Sequence, residues 1–188
     1  ALRATAGTYI EVAETITLDD GRDEQERLNA ILLSLPDILF IVGGTEGGAQ
    51  SAVWELARLA HLASSLIDKR RRPTVIFAGN NSLAPRVEAL FEDVTTLFIA
   101  RNVLPALENE QIESARNQLG EAFDHYKETR SESFAAIGAM SSTGVLPTAQ
   151  SYNIVVEYLG EAGRGNVAAV DIGSATGIMA VSFNKANN

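Results

Sequence analysis

The stretch Ile38-Leu39-Phe40-Ile41-Val42-Gly43-Gly44-Thr45-Glu46-Gly47-Gly48 decides the fold. Its unbroken apolar run is too short for a buried helix and suits a strand covered on both faces. The glycines that follow let the backbone bend sharply and approach a neighbour closely. Val53, Leu56, Ala60, Ala63 and Ile67 then recur at helical spacing and predict a helix over 49–68. The same grammar returns twice. A strand over 74–78 runs into Gly79-Asn80-Asn81, and a helix over 83–91 carries Pro85 in its first turn, where a missing N–H costs little. A strand over 95–100 runs into Arg101-Asn102. Apolar strands alternating with amphipathic helices predict an α/β fold, a mostly parallel sheet with helices on both faces. Such sheets bind ligands beyond the carboxyl ends of their strands. Here those ends are 43–48, 79–81 and 101–102.

On the amino-terminal side, residues 7–18 are rich in Thr, Ile and Val and read as extended, with a turn at Asp20-Gly21. Asp23 and Glu26 have capping-box spacing. Leu28, Ile31, Leu32 and Leu35 predict a helix that Pro36 ends. On the carboxyl side, Ile112, Ala115, Leu119, Ala122 and Tyr126 predict a helix over 108–128. Residues 131–144 are small and polar, a loop or a broken helix. A helix over 147–159 follows, with Tyr152, Val155, Val156 and Leu159 inward. Gly160, Gly163 and Gly165 read as a hinge-like connector, and 166–183 as strand, tight turn, strand.

The chain has 188 residues, with 15 Lys+Arg against 24 Asp+Glu and a formal charge of −9, which argues against a nucleic-acid binder. The basic run Lys69-Arg70-Arg71-Arg72 reads as a helix C-terminus complementing its dipole. There is no cysteine, hence no disulfide and no thiol chemistry. His61 reads as a core or edge residue, His125 as solvated and Trp54 as packing. No apolar run approaches the roughly 20 residues of a membrane span. The chain opens at Ala1 without an initiator Met, which is expected of a processed or partial sequence.

Three groups carry candidate chemistry. The run Gly43-Gly44-Thr45-Glu46-Gly47-Gly48 is either a tight strand-to-helix turn or a backbone cradle for an anion; it lacks the Lys-Ser/Thr ending of a P-loop. Asp171-Ile172-Gly173-Ser174-Ala175-Thr176-Gly177 is either an ordinary hairpin turn or a phosphate loop. In the second case Asp171 orients a metal-bound water, and Gly173, Ser174 and Thr176 face phosphate oxygens. Asn80-Asn81 and Arg101-Asn102 follow parallel strands, as turn residues or as ligand contacts. Asp171 and Glu46 are the candidate catalytic carboxylates.

Together, Ile38–Gly48, Val75-Ile76-Phe77-Ala78-Gly79-Asn80, Ile99-Ala100-Arg101-Asn102-Val103-Leu104-Pro105 and Ala169-Val170-Asp171-Ile172-Gly173-Ser174-Ala175-Thr176-Gly177 resemble the MutL/GlmL family. These are accessory proteins of adenosylcobalamin-dependent glutamate mutase, unrelated to the mismatch-repair protein of the same name. The family resembles the actin, sugar-kinase and Hsp70-like ATPases, with their ribonuclease H-like domains. The resemblance implies that 1–160 is the later part of a first ATPase domain and 161–188 the first hairpin of a second. It also implies ATP and Mg²⁺ as ligands, with Asp171 at the metal. The nucleotide loops would be Gly43, Gly44, Thr45, Gly47, Gly48, Asn80, Arg101 and Asn102, and then Gly173, Ser174 and Thr176. Gly177 and Ile178 stand where the family has Thr-Asp, so an acidic group is missing near the implied metal.

The expected function is that of an accessory or reactivating ATPase-like factor for a cobalamin-dependent mutase, cytoplasmic, with no hydrolysis by this chain alone. The alternatives are a small-molecule kinase or hydantoinase-like enzyme and a non-catalytic binding module. The terminal hairpin is expected to pack on the main sheet or to pair with a second copy as a homodimer, because bare apolar strand edges invite association.

Overall fold

The computed structural model describes residues 2–5, 10–130, 136, 139–140, 148–163, 165–174 and 177–183. It divides into two compact units that part between residues 135 and 136.

The first unit holds a three-stranded parallel sheet of β1 (Ile38–Gly43), β2 (Thr74–Gly79) and β3 (Leu97–Ile99), in the order β1-β2-β3. The register runs from Ile38 opposite Thr74 to Gly43 opposite Gly79, and Val75 stands opposite Leu97. Every residue of β2 is buried, as a central strand with cover on both faces requires. Alternation along the strands sorts the core. Ile41, Val75 and Phe77 meet α3 (Ser51–Leu66) and α4 (Ala84–Phe91) through Val53, Ala57, Ala60, Val87 and Phe91. Ile76 and Ala78 meet the other side, where α5 (Glu113–Arg130) supplies Ala115, Leu119 and Ala122 and the short α1 (Leu2–Thr5) adds Ala4. Helices thus cover both faces of a parallel sheet. Arg86 of α4 lies over the ring of Trp54 on α3 at 3.7 Å, a cation–π contact.

Helix α2 (Glu24–Ser34) packs on α3 through Ile31, Leu59 and Ala63. Its capping box is complete: the Asp23 carboxylate accepts the Glu26 N–H at 2.8 Å, and the Glu26 carboxylate accepts the Asp23 N–H at 2.9 Å. Leu35 ends it in the left-handed region (φ 44°), immediately before Pro36. Asp20 clasps the helix start, accepting from the Arg22 and Thr17 N–H groups and from Arg27 Nε. Burial pushes the Asp20 carboxyl up, but these hydrogen bonds outweigh it and hold the group below its ordinary value.

Residues 10–17, read as extended, join no sheet; Ile16 packs against the Ile31–Leu59 cluster and Ile10 against that of α5. Several expectations are corrected here. The helix expected to run to 68 stops at Leu66, and the basic run forms a separate 3₁₀ turn, Lys69–Arg71, capped by Asp68. Arg72 still serves carbonyls, those of Ile67 and Val94. The helix expected from 108 begins at Glu113, because Ala106 and Asn109 form a bridge that turns the chain first. His125 is not simply solvated: Nε2 lies 3.3 Å from Thr96 Oγ1 and the ring meets Phe98 edge-on. His61 sits at the core edge as expected, edge-on to Phe91.

The second unit contains α6 (Thr148–Gly163) and an antiparallel hairpin, β4 (Val167–Ile172) with β5 (Gly177–Ser182). Val167 pairs with Ser182, and Ile172 with Gly177. Among the described strands these two pair only with each other. Within this unit the hairpin packs on α6. Gly160 is no hinge: it lies inside α6, where an added Cβ would stand 2.8 Å from the Ser182 Cβ. A glycine there admits β5 to the helix surface. The domain boundary expected at 160/161 falls within that helix. Most of the region 131–144, together with Pro147 and Thr176, lies outside the described residues.

Candidate functional site

Parallel pairing brings the carboxyl ends of β1 and β2 level, so Gly43 lies opposite Gly79 and accepts the Asn80 N–H at 3.0 Å. An added Cβ at Gly79 would sit 2.8 Å from the Gly43 carbonyl, so only glycine permits this approach. The chain then leaves β1 through Gly44 (φ 70°), where a Cβ would strike the Ala49 carbonyl at 2.8 Å.

Two asparagines hold the loop that follows. Asn80 and Asn102 are 0% and 1% exposed, among the few buried polar residues described. Asn80 Nδ2 donates to the Thr45 carbonyl at 2.7 Å, and its Oδ1 accepts the Ser82 N–H at 2.9 Å. Asn102 Nδ2 donates to the Gly44 carbonyl and to Glu46 Oε1, both at 2.8 Å, while its Oδ1 accepts the Leu104 N–H at 3.0 Å. Glu46 Oε1 accepts a second bond, from the Asn81 N–H at 3.1 Å, and the Glu46 N–H donates to the Pro105 carbonyl at 2.9 Å. Each buried carboxamide therefore has both its nitrogen and its oxygen engaged, as burial of an amide demands.

The three loops expected to converge do so: Gly43, Gly44, Thr45, Glu46, Asn80 and Asn102 are joined by direct hydrogen bonds. Gly47 stands at the exposed tip (φ 71°), with open space where a Cβ would project. Gly48 closes the turn by donating to the Thr45 carbonyl at 2.9 Å. Arg101 is exposed beside Asn102, its N–H held by Ser114 Oγ at 3.0 Å. Sequence reasoning named Asn81 but not its N–H as the contact, and it missed two members, the Pro105 carbonyl and Ser114 Oγ. Backbone groups leave no residue-type signal, and Ser114 is one serine among many.

Asp171, Gly173 and Ser174 belong to the second unit. Asp171 lies on β4 opposite Ile178, and all three are exposed. Among the described residues, no three His, Asp or Glu side chains gather as a metal cage.

A family model described as MutL protein matches residues 1–187, nearly the whole chain. The chain belongs to the MutL family. No curated protein and no solved structure gives a comparable match. The MutL assignment agrees with the four stretches that carry the resemblance, three of which meet at the glycine loop and its two asparagines. No helix among the described residues is long and apolar enough to cross a membrane.

Proposed function

We propose that this MutL-family chain serves as an accessory factor of an adenosylcobalamin-dependent glutamate mutase and works through a bound nucleotide. The observation that carries the nucleotide reading is the meeting of the 43–48 loop with Asn80 and Asn102 at the carboxyl ends of parallel strands, where such sheets take ligands.

The residues fit the group. Gly47 leaves open space at the loop tip, and the exposed Arg101 is a cation for a phosphate. In the second unit, Asp171 is one exposed carboxylate. One carboxylate suffices for a Mg²⁺ that carries its own waters and phosphates. In the first unit, Gly43, Gly44, Thr45, Gly47, Gly48, Asn80, Arg101 and Asn102 would hold nucleotide. In the second unit, Asp171, Gly173, Ser174 and Thr176 would hold Mg²⁺ and phosphate. Mg²⁺ supplies charge neutralisation when bound. The protein's part is to place a rigid, amide-braced loop against the ligand. Nucleotide occupancy would then shift the chain between mutase-bound and free states.

The kinase or hydantoinase-like alternative needs a general base. Glu46 Oε1 already holds two N–H donors and must release them before taking a proton on that oxygen. That observation favours a binding role over chemistry.

Calorimetry of the chain with Mg-ATP, paired with pull-down of glutamate mutase with and without nucleotide, tests the proposal. The expected result is measurable heat and mutase capture that changes with nucleotide. Absence of heat together with nucleotide-indifferent capture overturns it.

A further inference from the structure

Glu46 is an unusual occupant of its own loop. Its Oε1 sits between two N–H donors from two other loops, Asn81 N–H at 3.1 Å and Asn102 Nδ2 at 2.8 Å. Asn102 is buried and fixed from its other side, because the same nitrogen grips the Gly44 carbonyl and its Oδ1 takes the Leu104 N–H. Asn102 is thus held in place without help from Glu46, and Asn81 follows Asn80, which is itself tied to Gly43, Thr45 and Ser82. If Glu46 left, a buried amide hydrogen would lose its acceptor, at a cost that favours refilling the position. Glu46 itself is exposed, so its side chain can turn out to solvent while its backbone N–H stays on the Pro105 carbonyl.

The geometry points to an oxyanion seat, made by Asn81 N–H and Asn102 Nδ2, which the chain fills with its own Glu46 carboxylate and yields to the phosphate oxygen of an incoming ligand. Glu46 is a tethered competitor: it keeps the seat charged and closed until a phosphate displaces it. This deepens the nucleotide reading by naming the group displaced, and it rests on that reading only for the natural source of the phosphate. The same chemistry would accept a free phosphate, a nucleotide phosphate or a carboxylate.

The test compares the melting temperatures of wild type, Glu46→Ala and Glu46→Gln in inorganic phosphate and in sodium chloride of matched ionic strength. Phosphate stabilises proteins generally, so Glu46→Gln, which returns a neutral oxygen to the seat, sets the background. The expected result is that Glu46→Ala gains at least about twice the phosphate-dependent rise of the other two proteins, by mass action on an emptied seat. Equal rises in all three overturn the seat. Should Glu46→Ala fail to fold, Glu46→Asp, one methylene shorter, carries the same comparison. Acetate and ADP arms on the same variant separate a carboxylate from a phosphate, and a free phosphate from a nucleotide. Failure here leaves Mg-ATP heat in the wild type untouched, so the two proposals fail separately.

Discussion

The loop after β1 and the turn after β4 share a composition of glycine, hydroxyl and acid, yet their surroundings differ completely. The first stands between the ends of neighbouring parallel strands. Strands about 4.8 Å apart deliver their following loops side by side, so a side chain from one reaches the backbone of the next. Asn80 and Asn102 use that closeness to fix the Thr45 and Gly44 carbonyls. The second turn caps a hairpin with no third strand among those described. Asp171, Gly173 and Ser174 are exposed, and the outer face of the hairpin shows Ile172 at 85% and Met179 at 71% exposure. A glycine-rich turn becomes a built site through what flanks it, and composition alone does not supply that.

Substitutions sharpen the contrast. The largest effect is expected at Asn102. Asn102→Ala strips the partners from the Gly44 carbonyl, Glu46 and the Leu104 N–H at a buried position, and should cost about 3 kcal/mol in denaturant unfolding. Ser174→Ala on the exposed turn should stay within about 0.5 kcal/mol. Equal losses would break the comparison.

Gly44→Ala comes next. It meets the Ala49 carbonyl and must also hold a left-handed backbone, so a loss of about 2 kcal/mol is expected. Gly47→Ala faces only the backbone cost, about 1 kcal/mol. Thermal melts of the two variants measure the difference, which isolates the packing of the loop root from the freedom of its tip.

The smallest effect concerns acid. Asp20 is held below its ordinary value, so its ionised form stabilises the fold at neutral pH and above about pH 4. That contribution is lost as pH falls through the lowered folded value, while the unfolded chain takes up its proton earlier. Asp20→Asn should flatten the fall of stability with acid below about pH 4, as read from melts across a pH series.

What was legible in the sequence was local. The strands of the parallel sheet declared themselves because unbroken apolar runs ended at Gly43 and Gly79. The Asp23–Glu26 capping box was readable because both partners lie within one helical turn. Asn80 and Asn102 were read as turn residues or ligand contacts beyond strands, not as clamps. Their clamping role depends on partners 35 and 58 positions away, which no local pattern displays. Residues 10–17 show the limit of composition: β-branched content describes a side chain that fits a pleated surface, and these residues join no sheet. His125 misled because its neighbours Asp124 and Tyr126 say nothing of which helix face meets β3. The hairpin's strands were legible, but its attachment to α6 was not: it turns on Gly160, which read as a break and acts as a contact surface.

The two asparagines grip main-chain oxygens, which every amino acid carries. Replacing Thr45 with another residue therefore leaves Asn80 its acceptor, whereas losing either carboxamide releases the turn. The loop's shape is thus encoded far from the loop, and its tip is free to change its chemistry without surrendering its form.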